Sequence, residues 1–298
     1  MNNQDAFSGY HPLVNILYFG LVIGYTMFFM HPVCLLISLF CAVCYYICLN
    51  GRRAGRFLIW YAVPTLLLTA IINPAFNHQG IHILGYLPTG NPLTLESILY
   101  GVAAAVMLVS VLLWFGCYTA VMTSDKFMYL FGRMIPAMSL VISMTLRFVP
   151  RFKIQLEAVK EAQAGLGRDS SSGSLWKRLK CALSCFSIMV TWSLENAVET
   201  ADSMKGRGYG LGGRTAFSIY VLTERDKGML LWFTFCGFYL LNGSLSGGLF
   251  WRYFPSIRGV LMEPLTVSFE IIYFALCMTP LIMNRKEERA WKSLQSKS

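Results

Sequence analysis

Few side chains in this sequence are set up for chemistry, and the ones that stand out are arginines framed by glycines. Lys205-Gly206-Arg207-Gly208-Tyr209-Gly210-Leu211-Gly212-Gly213 follows a segment whose acidic residues, Glu195, Glu199 and Asp202, recur at helical spacing. An earlier segment closes in a related way, at Gly165-Leu166-Gly167-Arg168, before Asp169 and a Ser/Gly stretch. Glycine in such a place is a helix stop signal. An arginine beside it is exposed, and its planar fork takes a carboxylate through two parallel hydrogen bonds. The flanking glycines let a second backbone come close. By spacing alone, an ordinary solvated helix end fits equally well. The two ends make a weak internal repeat.

Other chemistry is thin. The sequence contains no HExxH, GxSxG or GxxxxGK[ST] pattern, so the common metalloprotease, hydrolase and phosphate-loop signatures are missing. The stretch from Gly206 to Gly213 lacks the Lys-Ser/Thr of a phosphate loop and follows an acidic helix rather than a strand. The four histidines, His11, His31, His78 and His82, sit at the N-terminus or in expected outer loops, with no carboxylate at ligand spacing. Nine cysteines all lie in apolar stretches; Cys41-Ala-Val-Cys44, with Cys48 one turn on, reads as small apolar filler, and no metal site is expected. Glu270 is the one clear carboxylate inside an apolar span. Such a residue is a functional candidate by default, and the plainer reading is an interfacial Glu paired with Arg252 or Arg258. One such group makes a poor pathway for a self-contained secondary carrier or channel, and the missing catalytic constellation counts against an intramembrane enzyme.

These residues must be positioned by membrane helices. The chain has 298 residues, 55% hydrophobic and 13% charged, where a soluble domain averages about 25% charged. Six runs have span character: 13–30, 33–49, 57–72, 97–122, 228–245 and 264–283. The expected fold is therefore all-α and polytopic, with about six transmembrane helices and long amphipathic helices on the cytoplasmic side. Residues 1–10 carry no Lys or Arg, so no cleavable leader is expected. If the turn at Arg52 is cytoplasmic, 23 of the 25 Lys and Arg fall inside, and only Arg252 and Arg258 fall outside. That places both termini in the cytoplasm by the positive-inside rule. The net charge of +10 then reflects topology rather than nucleic-acid binding. The sequence divides into a four-helix membrane region (1–122), a cytoplasmic or interfacial region (123–227) and a two-helix membrane region with a basic tail (228–298). Within the middle region the apolar runs 134–149 and 181–192 are shorter than a span, and each continues into an amphipathic segment. The region thus reads as two long helices, each starting apolar near the membrane and ending polar in the cytosol.

The residues at those helix ends resemble a known family. Asp202-Ser203-Met204-Lys205-Gly206-Arg207-Gly208-Tyr209-Gly210 is similar to the second Ala-Arg-Gly motif of the T component of energy-coupling factor (ECF) transporters, with Gly206 in place of alanine. Trp192 to Ala197, Glu161-Ala162-Gln163 and His11-Pro12-Leu13-Val14-Asn15 extend the likeness. At the first motif the family pattern puts an arginine near position 166, where this sequence has Leu166 between Gly165 and Gly167, with Arg168 two places later. Either Arg168 takes the role from a shifted position, or this end docks through Leu166. The resemblance implies a non-catalytic scaffold in the cell membrane, without cofactor, in an ABC-type importer. Two cytoplasmic ATPase subunits would engage Asp202, Ser203, Met204, Gly206, Arg207 and Gly208 at one end, and Gln163, Gly165, Leu166, Gly167 and Arg168 at the other. A small membrane S component would bind a vitamin or metal ion and pack on the Met- and Phe-rich face at Met134, Met138, Met144 and Phe148, side chains suited to an adaptable interface.

Overall fold

The computed structural model describes residues 5–86, 92–134, 136–167, 175–211, 220–259 and 263–295; the side chains at 52, 53, 131–134, 136–139 and 291 stand outside this description. The chain divides into two units, Met1–Phe127 with Tyr220–Ser298, and Met128–Ile219.

The first unit is built on helices that begin where the sequence breaks its apolar runs. Helix α1 (Pro12–Phe28) and helix α2 (Pro32–Asn50) each start on a proline that follows a histidine, a placement in which the missing N–H costs nothing. Gly51, at φ +52°, ends α2. A short helix α3 (Arg52–Phe57) runs through a π-helical turn (Leu58–Ala62) into α4 (Val63–Phe76). Strands β1 (Ile83–Tyr86) and β2 (Pro92–Thr94) pair antiparallel ahead of α5 (Leu95–Val121), whose first turn is capped by Thr94. Helix α6 (Ser124–Met134) follows, and the unit boundary falls within it. After the second unit the chain returns in α9 (Glu224–Leu245), a small ladder of β3 (Trp251–Arg252) with β4 (Arg258–Gly259), and α10 (Pro264–Gln295).

Helices α1, α2, α5, α9 and α10 share one core, centred on Phe7, Tyr18, Phe19, Trp114, Phe233 and Tyr273. Polar side chains inside it satisfy one another. Thr26 Oγ1 lies 2.8 Å from Ser38 Oγ and 2.9 Å from Tyr273 OH, and Trp114 Nε1 donates to Ser38 Oγ at 3.0 Å. In a lipid setting such bonds tie four helices that dispersion alone would hold loosely.

A second cluster of polar contacts lies near the residues His11 to Asn15. Thr223 and Asp226 form a capping box at the start of α9, and Asp226 Oδ1 also accepts from the His11 backbone N–H at 3.0 Å. Lys126 Nζ donates to Val121 O at 3.0 Å and to Ser8 O. With its amide turned to satisfy both neighbours, buried Asn15 donates to Phe7 O at 3.1 Å and accepts from Lys126 at 3.0 Å. Burial lowers the pKa of Lys126, against the pull of Asp5. Asp5 itself accepts from Tyr45 OH at 2.8 Å and from Asn284.

Among the described residues six helices are long and apolar enough to cross a membrane, and the chain is an all-α, multi-pass membrane protein. Membership of the six differs from the sequence reading. Helix α1 has 17 residues, about 25 Å at 1.5 Å per residue, and falls short of the set. The second unit's helix over Leu175–Gly206 joins it by length and mean hydropathy, although its charge-free middle, 181–194, is shorter than a span. Helix α10 runs on without a break into the basic segment that the sequence assigned to a tail.

Two histidine–carboxylate contacts correct the sequence reading of the histidines. His31 Nδ1 stands 3.2 Å from Glu270 Oε1, with the imidazole fully buried. His82 Nδ1 stands 2.7 Å from Glu96 Oε1. Glu270 therefore pairs with His31, and neither Arg252 nor Arg258 is its partner. Both pairs join residues remote in sequence, which spacing rules for ligands do not register.

Candidate functional site

The second unit contains the glycine-framed ends. Helix α7 (Pro136–Gly165) and helix α8 (Leu175–Gly206) pack antiparallel. Val159 meets Cys181 and Cys185 near one end. Phe152 stands edge-on to Trp192 at 5.3 Å between ring centres, and the Arg151 guanidinium lies 6.0 Å above the same indole. Leu140, Met144 and Phe148 of α7 face Thr200, Ser203 and Met204 of α8 toward the other end. The two glycine-framed ends consequently sit at opposite ends of the pair. The sequence reading had both helices pointing their polar ends the same way; antiparallel packing separates them by the length of α8, 32 residues, on the order of 45 Å.

Both ends close on a left-handed glycine whose N–H bonds back onto the helix. At the end of α8, Tyr209 N–H donates to Met204 O at 3.0 Å and Gly208 N–H to Lys205 O at 2.9 Å, with Gly208 at φ +77°. These two bonds and the left-handed glycine define a Schellman stop, which satisfies carbonyls that the helix would leave bare. At the end of α7, Gly167 N–H donates to Ala164 O at 2.9 Å, with Gly167 at φ +74°. Superposing the two left-handed glycines matches Gly167 with Gly208, Leu166 with Arg207, Gly165 with Gly206 and Gln163 with Met204. Leu166 N–H donates to Ala162 O and Gln163 O, as Arg207 N–H donates to Ser203 O and Met204 O. Leu166 thus holds the position of the arginine. Arg168 lies outside the described residues, as do the side chains of Met134 and Met138.

The two ends differ chemically. Arg207 is exposed at its tip, as are Asp202 and Ser203, while Met204 is half-buried. Leu166 is 71% exposed, an apolar cap at the first end. Gln163 beneath it is buried, and its Oε1 has no hydrogen-bond partner among the described residues. A groove of about 950 Å³ opens beside the Arg207 end. Arg147, Arg151 and Arg207 line it together with Glu199, Asn196 and Tyr209. Met144 and Phe148, which the sequence assigned to another face, line the same groove. Arg147 and Arg151 escaped the sequence reading, although their spacing of four puts them on one side of α7 beside Met144 and Phe148.

No protein-family model matches the chain. Curated relatives do. Over 81 residues it is 38% identical to the energy-coupling factor transporter transmembrane protein EcfT of Bacillus selenitireducens, covering 27% of this chain and 30% of that protein. Over 82 residues it is 37% identical to EcfT 1 of Listeria monocytogenes, covering 27% and 31%. Over 95 residues it is 30% identical to EcfT of Bacillus subtilis, covering 32% and 36%. The chain resembles the transmembrane T component of energy-coupling factor transporters. The matched stretch spans about a third of the length of these relatives.

Proposed function

We propose that this chain is the T component of an ECF-type ABC importer. Two cytoplasmic ATPase subunits hydrolyse ATP and engage the two helix ends, and this chain, itself without catalysis, passes their motion to a small membrane S component that carries a vitamin or metal ion. The observation that carries this reading is the matched pair of ends. Each closes on a left-handed glycine preceded by an exposed residue in the same register, and an antiparallel pair holds them apart as a stiff spacer would. Arg207 offers one ATPase a bidentate fork, and Leu166 offers the other an apolar cap. Both termini and the segment 123–227 lie on the cytoplasmic side or at its interface. The uncharged part of α8 between Lys180 and Glu195 supports this, since its 14 residues reach only about 21 Å of a hydrocarbon core about 30 Å thick.

The test is co-purification from membranes. Wild-type chain brings down two ATPase chains and a small membrane protein, and Arg207→Glu loses one ATPase and abolishes uptake. Wild-type uptake by Arg207→Glu sinks the proposal, and transport by the purified chain alone in liposomes establishes a self-contained carrier in its place.

A further inference from the structure

We infer that the N-terminal segment 5–15 is a clamp on both chain connections to the second unit, with Lys126 and Asp226 as its positioning residues. The chain leaves the first unit at Phe127 and re-enters it at Tyr220. On the first unit the two connections lie side by side, because the Tyr220 hydroxyl is hydrogen-bonded to the Thr123 side chain. The outgoing connection starts α6 and the incoming one starts α9.

One short segment grips both. At the outgoing connection the buried Lys126 ammonium donates to Ser8 O, to Val121 O at 3.0 Å and to the Asn15 amide oxygen at 3.0 Å, which uses all three of its N–H donors. At the incoming connection Asp226 accepts from the His11 N–H at 3.0 Å, and the Arg225 guanidinium lies 4.9 Å above the Tyr10 ring. The segment is in turn tied to the membrane helices. Ala6 N–H donates to Asn284 Oδ1 of α10 at 2.8 Å, and Tyr45 OH of α2 donates to Asp5 Oδ2 at 2.8 Å. Apolar packing would fasten a helix start without the desolvation cost of a buried ammonium. What the saturated ammonium supplies is a fixed position, since its bonds are directional and charge-assisted. The Asp226 carboxylate serves the capping box of α9 and His11 at once, so rotation of α9 pulls on the segment. A displacement at one connection is therefore passed to the other. The clamp stands on this geometry alone; that it carries ATPase-driven motion into the membrane helices rests on the proposed function.

Hydrogen exchange of the full chain in detergent, read by mass spectrometry, tests the clamp without any partner. Lys126→Met speeds exchange about thirtyfold at 122–134 and, across the clamp, about tenfold at 220–228. Arg225→Gln, at a side chain 66% exposed, leaves the core untouched and speeds both stretches about threefold, so it decides the matter even where Lys126→Met loosens the whole chain. Faster exchange confined to 220–228 in Arg225→Gln overturns the clamp. In the complex co-purified with its ATPases, a non-hydrolysable ATP analogue changes exchange at 5–15, and Lys126→Met removes that response. A complex that contains the ATPases but shows no response at 5–15 overturns the clamp's part in coupling. A wild-type chain that brings down no ATPase sinks the proposed function instead and leaves the result in detergent standing.

Discussion

Two neighbouring glycines at the end of α8 respond to the same substitution with opposite sign. Gly206 has helical geometry, and a Cβ built on it meets nothing within 4 Å. Alanine there gains helix propensity and loses unfolded-state freedom, a stabilisation of about 0.5–1 kcal/mol. Gly208 sits at φ +77°, where an L-residue costs about 1–2 kcal/mol. Its added Cβ also comes 3.1 Å from Leu211 Cδ1, a flexible tip that can swing away, so backbone strain sets the cost. Gly206→Ala and Gly208→Ala thus differ by about 2 kcal/mol in the stability of the last turn, with tenfold per 1.4 kcal/mol. Hydrogen exchange of the amides of Arg207, Gly208 and Tyr209 reads this directly. Gly206→Ala slows exchange about threefold, and Gly208→Ala speeds it about tenfold. Gly165→Ala and Gly167→Ala repeat the pair at the end of α7, where Gly167 at φ +74° has open space around its Cβ position and only the backbone cost applies. Shifts of the same sign for Gly206→Ala and Gly208→Ala would refute the Schellman assignment.

Lys126→Met strands Val121 O, Ser8 O and the Asn15 amide, costs about 2–3 kcal/mol, and lowers the melting temperature in detergent by several degrees. Because the folded pKa of Lys126 is lowered by burial, the native state sheds its proton first as pH rises. The unfolded chain then holds more protons, so stability climbs with pH between the lowered folded value and about 10.4, a rise that Lys126→Met lacks. At the first helix end, Leu166→Asp leaves chain stability within about 0.5 kcal/mol, since the side chain is 71% exposed. Under the proposed function it drops the co-purified ATPase from two chains to one, while Arg168→Ala keeps both; the reverse pattern assigns the first end to Arg168.

The helices were legible in the sequence because each apolar run stops at an identifiable break. His11-Pro12 and His31-Pro32 start α1 and α2, and glycines end α7 and α8. What was not legible depended on partners remote in the chain. The β3–β4 ladder has two residues on each side and no alternating pattern to announce it, and its key feature, Gly259 lying under Trp251, is a contact rather than a motif. His31 and Glu270 lie at opposite ends of the sequence. The glycine-framed ends were visible as composition, but their register was not. Aligning arginine with arginine leaves Arg168 displaced, whereas aligning left-handed glycine with left-handed glycine puts Leu166 over Arg207. Backbone conformation, which glycine permits without requiring, favours the second alignment.

Burial explains why the second unit cannot be complete as a two-helix pair. The α8 face toward α7 carries Cys181, Cys185, Met189 and Trp192. Leu183, Phe186, Val190, Leu194 and Val198 recur every three or four residues, which at 100° per residue places them on the opposite face. All five are at least 40% exposed. A helix apolar on two opposite faces has only one of them covered by α7, and an uncovered stripe five residues long is more than a monomeric soluble surface tolerates. The charges near both ends of α8, Lys177, Arg178 and Lys180 at one and Glu195, Glu199 and Asp202 at the other, prevent the whole helix from sinking into lipid. Cover over the middle with water at the ends is what an interfacial position, or a helical membrane partner laid along the stripe, supplies. Under the proposed function that partner is the S component, and the stripe on α8 is a second apolar surface for it beside the one carrying Met144 and Phe148.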